Sequence, residues 1–226
     1  MRISGLTLRA PKGVNLSRKT KMNWNDVLSY WFGEEVDDSE VVAKQHKRWF
    51  VASKDVDQVL RDRFTGLLEQ ADLGECDGWR QEPKSALALI LLFDQFPRNM
   101  FRGSARAFSL DEKARALAEE CIQNGWDRRL HPLETAFVYL PLEHSEDIVD
   151  QNRCVELYTS LRSRAPAGME EMFAGFLEYG ILHRDVIARF GRFPHRNAVL
   201  EREPSDEERA YLASDDHAFG QIAAKP

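Results

Sequence analysis

This 226-residue chain predicts an all-α fold of about nine helices packed as antiparallel pairs. Three observations lead there. Apolar residues recur at i, i+3, i+4 and i+7 in segment after segment from Asn23 onward. Most of these segments open on Ser, Asp or Pro, or close on Gly, as helix ends do. No stretch alternates apolar and polar residues, and no Asn-Gly dipeptide sits between two such runs.

The first helix carries Trp24, Val27, Leu28, Trp31 and Phe32 on one face, with Gly33 as its C-cap. A second runs from Ser39 to Trp49 and Phe50. A third places Val56, Val59, Leu60, Phe64, Leu67, Leu68 and Ala71 on a stripe, with Gly74 beyond it. Pro83 opens a fourth. Its run from Ala86 to Phe93 is apolar all round, which predicts a central buried helix. Asp111 is placed to cap a helix ending before Gly125, and Pro132 starts one that extends to Ile148. Asn152 to Leu161 is next. Pro166 opens a long helix to Phe190, closed by Gly191. Ser205 and Glu208 form a capping box for a last helix through Leu212. No 34-residue tetratricopeptide repeat is legible.

The domain plan is a basic tail over 1–22 and a single all-α domain over 23–226. Residues 1–21 hold six Lys and Arg and no acid, so of the net −6 the remainder carries −12. This tail lacks the apolar run of a secretory signal. A targeting peptide, a disordered tail and an upstream start before Met22 are its readings, and the missing amphipathic spacing favours the latter two. The acidic body disfavours nucleic acid as a partner. The longest apolar run, Ala86 to Phe93, is too short for a membrane span. Cys76, Cys121 and Cys154 form no C-x-x-C, and Cys121 shares a stripe with Ala114, Leu117 and Ala118. A reducing cytoplasm is expected. All five tryptophans are expected in the core. Glu119, Glu120 and Asp206 to Glu208 are expected on solvated faces.

Polar residues on apolar stripes carry the functional information. One stripe reads Leu133, Phe137, Leu140, His144, Ile148. Another reads Met169, Met172, Phe176, Gly180, His183, Ile187. The buried helix runs straight into Asp94 and Gln95. Burying each group unpaired costs about 1–3 kcal/mol, so the economical arrangement is that they meet. Asp94, His144 and His183 are therefore candidate catalytic residues, with one histidine as general base and Asp94 orienting it.

Pro141 predicts a kink just before Glu143, His144, Ser145, Glu146 and Asp147. Glu143 with Glu146 or Asp147 is a repelling pair that a cation would relieve. A Phe-Pro break recurs at Phe96-Pro97-Arg98-Asn99 and at Phe193-Pro194-His195-Arg196-Asn197. Two such turns aimed at one pocket would make an anion clamp. Candidate binding residues are Gln95, Arg98, Asn99, Arg102, Glu143, Glu146, Arg192, His195, Arg196 and Asn197. No metal site is expected, because the arginines would repel a cation and no H-x-x-x-H spacing exists. The expected partner is a small anionic molecule that is bound, and hydrolysed or transferred. The alternatives are an acidic peptide on a concave face, and a network that only ties helices together.

The stretches LALILLFDQFPRNMFRG (87–103), YLPLEHSEDIVDQ (139–151) and HRDVIARFGRFPHRNAVLERE (183–203) resemble a bacterial family defined only as domain of unknown function 924. WFG at 31–33, the Trp49-Phe50 pair, RAFSLDEKA (106–114) and PSDEE (204–208) extend the resemblance over residues 24–213. It implies a tetratricopeptide-like helical fold with a concave face, and brings no established reaction, substrate or cofactor. The candidate residues above lie on its motifs, Ser145 with them. Glu201 departs from the pattern, which usually has glycine in a Leu-Gly-Arg turn there; if that glycine supplies positive φ, the glutamate puts the local turn in question.

Overall fold

A computed structural model describes residues 22–33 and 39–214. The expectations for the basic segment 1–21 and for 215–226 fall outside these residues. Among the described residues the structure is all-α, with no strand. It has ten α-helices: α1 (Trp24–Phe32), α2 (Ser39–Phe50), α3 (Lys54–Asp72), α4 (Pro83–Phe93), α5 (Gln95–Met100), α6 (Asp111–Gln123), α7 (Pro132–Glu143), α8 (Ile148–Arg162), α9 (Glu170–Phe190) and α10 (Asp206–Ala213). Three short 3-10 turns join them, at Asp77–Gln81, Ala105–Phe108 and Pro194–Arg196.

The capping chemistry works as the residues demand. Asn23 and Asp26 form a reciprocal box at α1, and Ser205 and Glu208 form one at α10. Gly33 and Gly191 take positive φ at the ends of α1 and α9. Asp111 is a correction. It is the first residue inside α6, with Leu110 as N-cap, and its carboxylate serves two arginines instead.

α4 is the hub. Every residue from Pro83 to Phe93 except Lys84 is buried, and α4 packs against α1, α3, α5, α6 and α7. Its six large apolar side chains contribute roughly 9–18 kcal/mol of gross transfer free energy. Around it lies an aromatic core in which Trp31, Phe32, Phe96 and Phe137 meet edge to face or tilted. Consecutive helices pack together along the second half, α6 on α7, α7 on α8 and α8 on α9. A smaller apolar cluster, Val186, Ile187, Phe193 and Tyr211, seats the C-terminal arm on the end of α9.

The helix expected over 132–148 ends at Glu143, and Ile148 begins α8. The break follows from where the backbone carbonyls go. The Gln151 amide Nε2 donates to the carbonyls of Glu143 (2.6 Å), Ser145 (2.7 Å) and Leu142 (3.3 Å), and Asp147 caps α8 through the Val149 N–H. A buried side chain thus replaces the next helical turn. Two burial expectations also need correcting. Trp24 is 36% exposed, outside the core. Glu208 is buried: Arg192 Nε (2.7 Å), the Ser205 N–H (2.6 Å) and Asn197 Nδ2 (3.2 Å) all donate to it. No described helix is long and apolar enough to cross a membrane.

Candidate functional site

The fourth and seventh helices deliver the centre of the site. α4 ends at Phe93, and Asp94 at its C-cap is fully buried. α7 ends at Glu143, and His144 follows as its C-cap. His144 Nδ1 lies 2.7 Å from Asp94 Oδ1, and Gln95 Nε2 donates to Asp94 Oδ2 at 2.6 Å. Burial pulls the Asp94 pKa upward, but Arg98 and then His144 outweigh it and hold the carboxyl below its ordinary value. Asp94 is therefore a carboxylate, His144 Nδ1 carries the proton between them, and Nε2 bears the lone pair. Burial, then the Arg98 charge, lowers the His144 pKa, so its ring is neutral near pH 7.

His183 comes from α9, its ring centroid 6.3 Å from that of His144. Its Nδ1 lies 2.8 Å from the Tyr179 carbonyl, which fixes the proton there. Burial, then His144, pushes its pKa down to about 3. Glu143 Oε1 lies 3.4 Å from the same nitrogen. Burial pushes the Glu143 carboxyl up to about 8, against the pull of the Tyr158 hydroxyl. Gly180 makes room for this approach, since a Cβ there would stand 3.0 Å from the Tyr158 ring.

Glu143, His144 and His183 line one cavity of about 520 Å³, within the range of small-molecule sites, and Asp94 sits behind His144 outside the lining. Its polar wall is Gln95, Arg98, Asn99, Arg102, Glu143, His144 and His183, with His46 and Glu171 at the rim. Its apolar wall includes Trp49, Phe50, Leu140, Met172, Phe176 and Tyr179, with Gly175 between them. Sequence reasoning missed the apolar wall, although the Trp49-Phe50 pair stood among the family motifs.

The arginines expected to clamp an anion each hold a carboxylate or carbonyl of the chain itself. Arg98 grips Asp111 bidentately at 2.7 and 2.9 Å, and lies 3.1 Å from Asp94. Arg102 takes both oxygens of Asp57 at 3.1 Å and the Asn99 side-chain Oδ1 at 2.9 Å. Arg196 donates to the His144 carbonyl at 2.9 Å and lies 3.4 Å from Asp111. The two Phe-Pro segments do converge, but on Asp111. The first of them is not a turn either: Pro97 lies within α5.

Besides Asp94, five candidates lie outside the cavity lining. Arg192 is spent on Glu208. Asn197 bridges Glu208 and Arg202. His195 packs on Phe193, and burial and then Arg196 push its pKa down to about 3. Arg196 serves the His144 backbone. Glu146 accepts from Arg202 (2.6 Å) and from the Phe193 N–H (2.8 Å), so an arginine relieves the acidic turn. Among the described residues no group of three His, Cys, Asp or Glu is placed to hold a metal ion. Cys121 is buried, and its thiol is pushed up to about 12.

Fold and site together define an all-α protein with a cavity lined in part by aromatic residues and a buried carboxylate–imidazole pair whose imidazole reaches its wall. The chain belongs to the family described as bacterial protein of unknown function (DUF924), whose model matches residues 27–216. It is similar to a solved structure of a protein of unknown function from Agrobacterium tumefaciens. That match has 37% identity and a TM-score of 0.71, and it covers 84% of this chain and 96% of that one. Comparison with curated proteins returns no match.

Proposed function

We propose that the cavity is a small-molecule site in which His144, oriented by Asp94, acts as a general base. The observation that carries this reading is the 2.7 Å contact between Nδ1 of His144, which lines the cavity, and the fully buried Asp94 carboxylate behind it. The pair sets the tautomer and leaves Nε2 able to accept a proton. Among the described lining residues there is no Ser, Thr, Cys or Lys. The base therefore acts on water or on an O–H or N–H of the ligand itself, and hydrolysis or group transfer are the matching reaction classes. The acidic-peptide alternative has less support, because Arg98, Arg102 and Arg196 are already engaged.

The test fills the cavity. A Cβ added at Gly175 meets nothing within 4 Å, so Gly175→Leu projects into open space. A panel of aromatic amines, alcohols and carboxylates is screened by thermal shift on the full chain. A ligand at a hundred times its Kd adds about 2.7 kcal/mol. The expected result is a ligand shift that Gly175→Leu abolishes and His144→Gln preserves. An equal shift in wild type and Gly175→Leu would overturn the assignment of this cavity.

A further inference from the structure

Glu143 stands apart from every other charge near the cavity. Its side chain is 6% exposed, its Oε2 makes no hydrogen bond of normal geometry, and the neutral Tyr158 hydroxyl is the one polar neighbour besides Arg98 that favours its charged form against burial. The His183 ring beside Oε1 is neutral and turns its proton to the Tyr179 carbonyl. The three nearby guanidinium groups of Arg98, Arg102 and Arg196 are matched by the carboxylates of Asp94, Asp57 and Asp111. Glu143 is the acid left over, and it lies in the cavity wall.

The rest of the wall suits the same complement. Trp49, Phe50, Phe176 and Tyr179 offer π faces, which attract cations within about 6 Å of a ring centroid. Glu171 adds an exposed carboxylate to the lining. An anion would meet no unneutralised arginine and one buried acid. A monocation would meet a buried carboxyl that it can ionise, with no cation already paired to it, and aromatic rings.

We propose that this cavity takes an organic monocation, an ammonium group on an apolar body of about one aromatic ring, with the Glu143 carboxylate as its counter-ion. This names the ligand class of the site proposed above and rests on that reading. At rest the carboxyl is protonated near pH 7, so the cation displaces a proton as it binds. The groups facing Glu143 are Asp94 and Arg98 at the α4–α5 junction, His144 beside it, Tyr158 of α8 and His183 of α9. Of these, Asp94 and Arg98 hold fixed charges near neutrality, while His144, His183 and Tyr158 stay neutral.

The experiment is isothermal titration of the full chain with three probes of one shape: 2-phenylethylamine, 2-phenylethanol and 3-phenylpropanoate. The amine is expected to bind at least about tenfold more tightly than the carboxylate. With the carboxyl at about 8, amine binding at pH 7 releases about 0.9 proton, read from the buffer dependence of the heat. Glu143→Gln is expected to weaken the amine at least about tenfold, leave the alcohol within about threefold and abolish the proton release. A single cooperative melting transition, at or above the wild-type temperature, shows that the variant folds. Equal amine affinity in Glu143→Gln, or no proton release from the wild type, overturns the counter-ion. Alcohol or carboxylate binding with the amine silent overturns the charge assignment and leaves the small-molecule site standing. Silence from all three probes overturns both.

Discussion

Alanine at Gly175 and alanine at Gly180 should move stability in opposite directions, although both residues lie inside α9. A helical glycine is worth about 0.8–1.0 kcal/mol less than alanine, because its backbone loses more freedom on folding. At Gly175 an added Cβ has nothing within 4 Å, so the whole gain is realised. For a chain of this length that raises the melting temperature by about 2–4 °C. At Gly180 the added Cβ meets Tyr158 Cδ2 at 3.0 Å and Glu143 Oε2 at 3.9 Å. The tyrosine ring has little room to give, since it stacks on Phe176 and its hydroxyl donates to the Ala136 carbonyl at 3.2 Å. Overpacking costs about 1–3 kcal/mol, so after the helix gain the net loss is about 0–2 kcal/mol. The two variants therefore differ by about 1–3 kcal/mol in urea titrations followed by circular dichroism. If Gly180→Ala is as stable as Gly175→Ala, the close packing of α8 and α9 at Glu143 is wrong, and the site built on it falls.

Other expectations follow from single residues. Glu201 is the one non-glycine residue at positive φ among the described residues, at 54°. Glu201→Gly should stabilise the protein by about 0.5–1 kcal/mol in calorimetry, and a loss would show that its side chain compensates the strain. Asp94→Asn removes the carboxylate between His144 and Arg98 and should cost about 3 kcal/mol in urea titration, whereas a neutral outcome would deny that the pair is ionised. Stability against pH should be bell-shaped. His183 and His195 sit at about 3 against 6.5 when unfolded, so the unfolded chain takes up protons first and stability falls as pH drops below 6.5. Glu143 sits at about 8 against 4.5, so its contribution is complete below 4.5 and is lost as pH rises to 8. Glu143→Gln should flatten that alkaline limb, and an unchanged limb in denaturation curves would place its origin elsewhere.

The helices were legible because their apolar spacing is local and strong. α2 and α4 begin where Ser39 and Pro83 stand, and the all-apolar run of α4 proved to be the hub. The meeting of Asp94 with His144 was legible for a thermodynamic reason: a charge forced into the interior must find a partner. The partners of the arginines were not legible. Asp57 lies 45 residues from Arg102 and Asp111 lies 85 from Arg196, and nothing in the pattern links such positions. Glu208 looked like a solvated charge because its neighbours are charged, yet Arg192 and Asn197 fold back over it. The end of α7 was misplaced because one side chain, Gln151, overrides a periodic stripe. The cavity itself leaves no mark in the periodicity, since Trp49, Phe176 and Leu140 keep their stripe whether the space beside them is filled or not.

The hydrogen bond from Arg196 to the His144 carbonyl also has a consequence in time. The two residues are 52 positions apart, and Arg202, which holds Glu146, comes later still. At about 5–20 residues per second, roughly 3–10 s of synthesis separate the histidine from the arginine that secures its backbone. During that interval the nascent chain already carries Asp94 and His144 but not the arm that fixes them. A ribosome stalled before Arg196 would display most of the core with the Glu143–His144 turn still open.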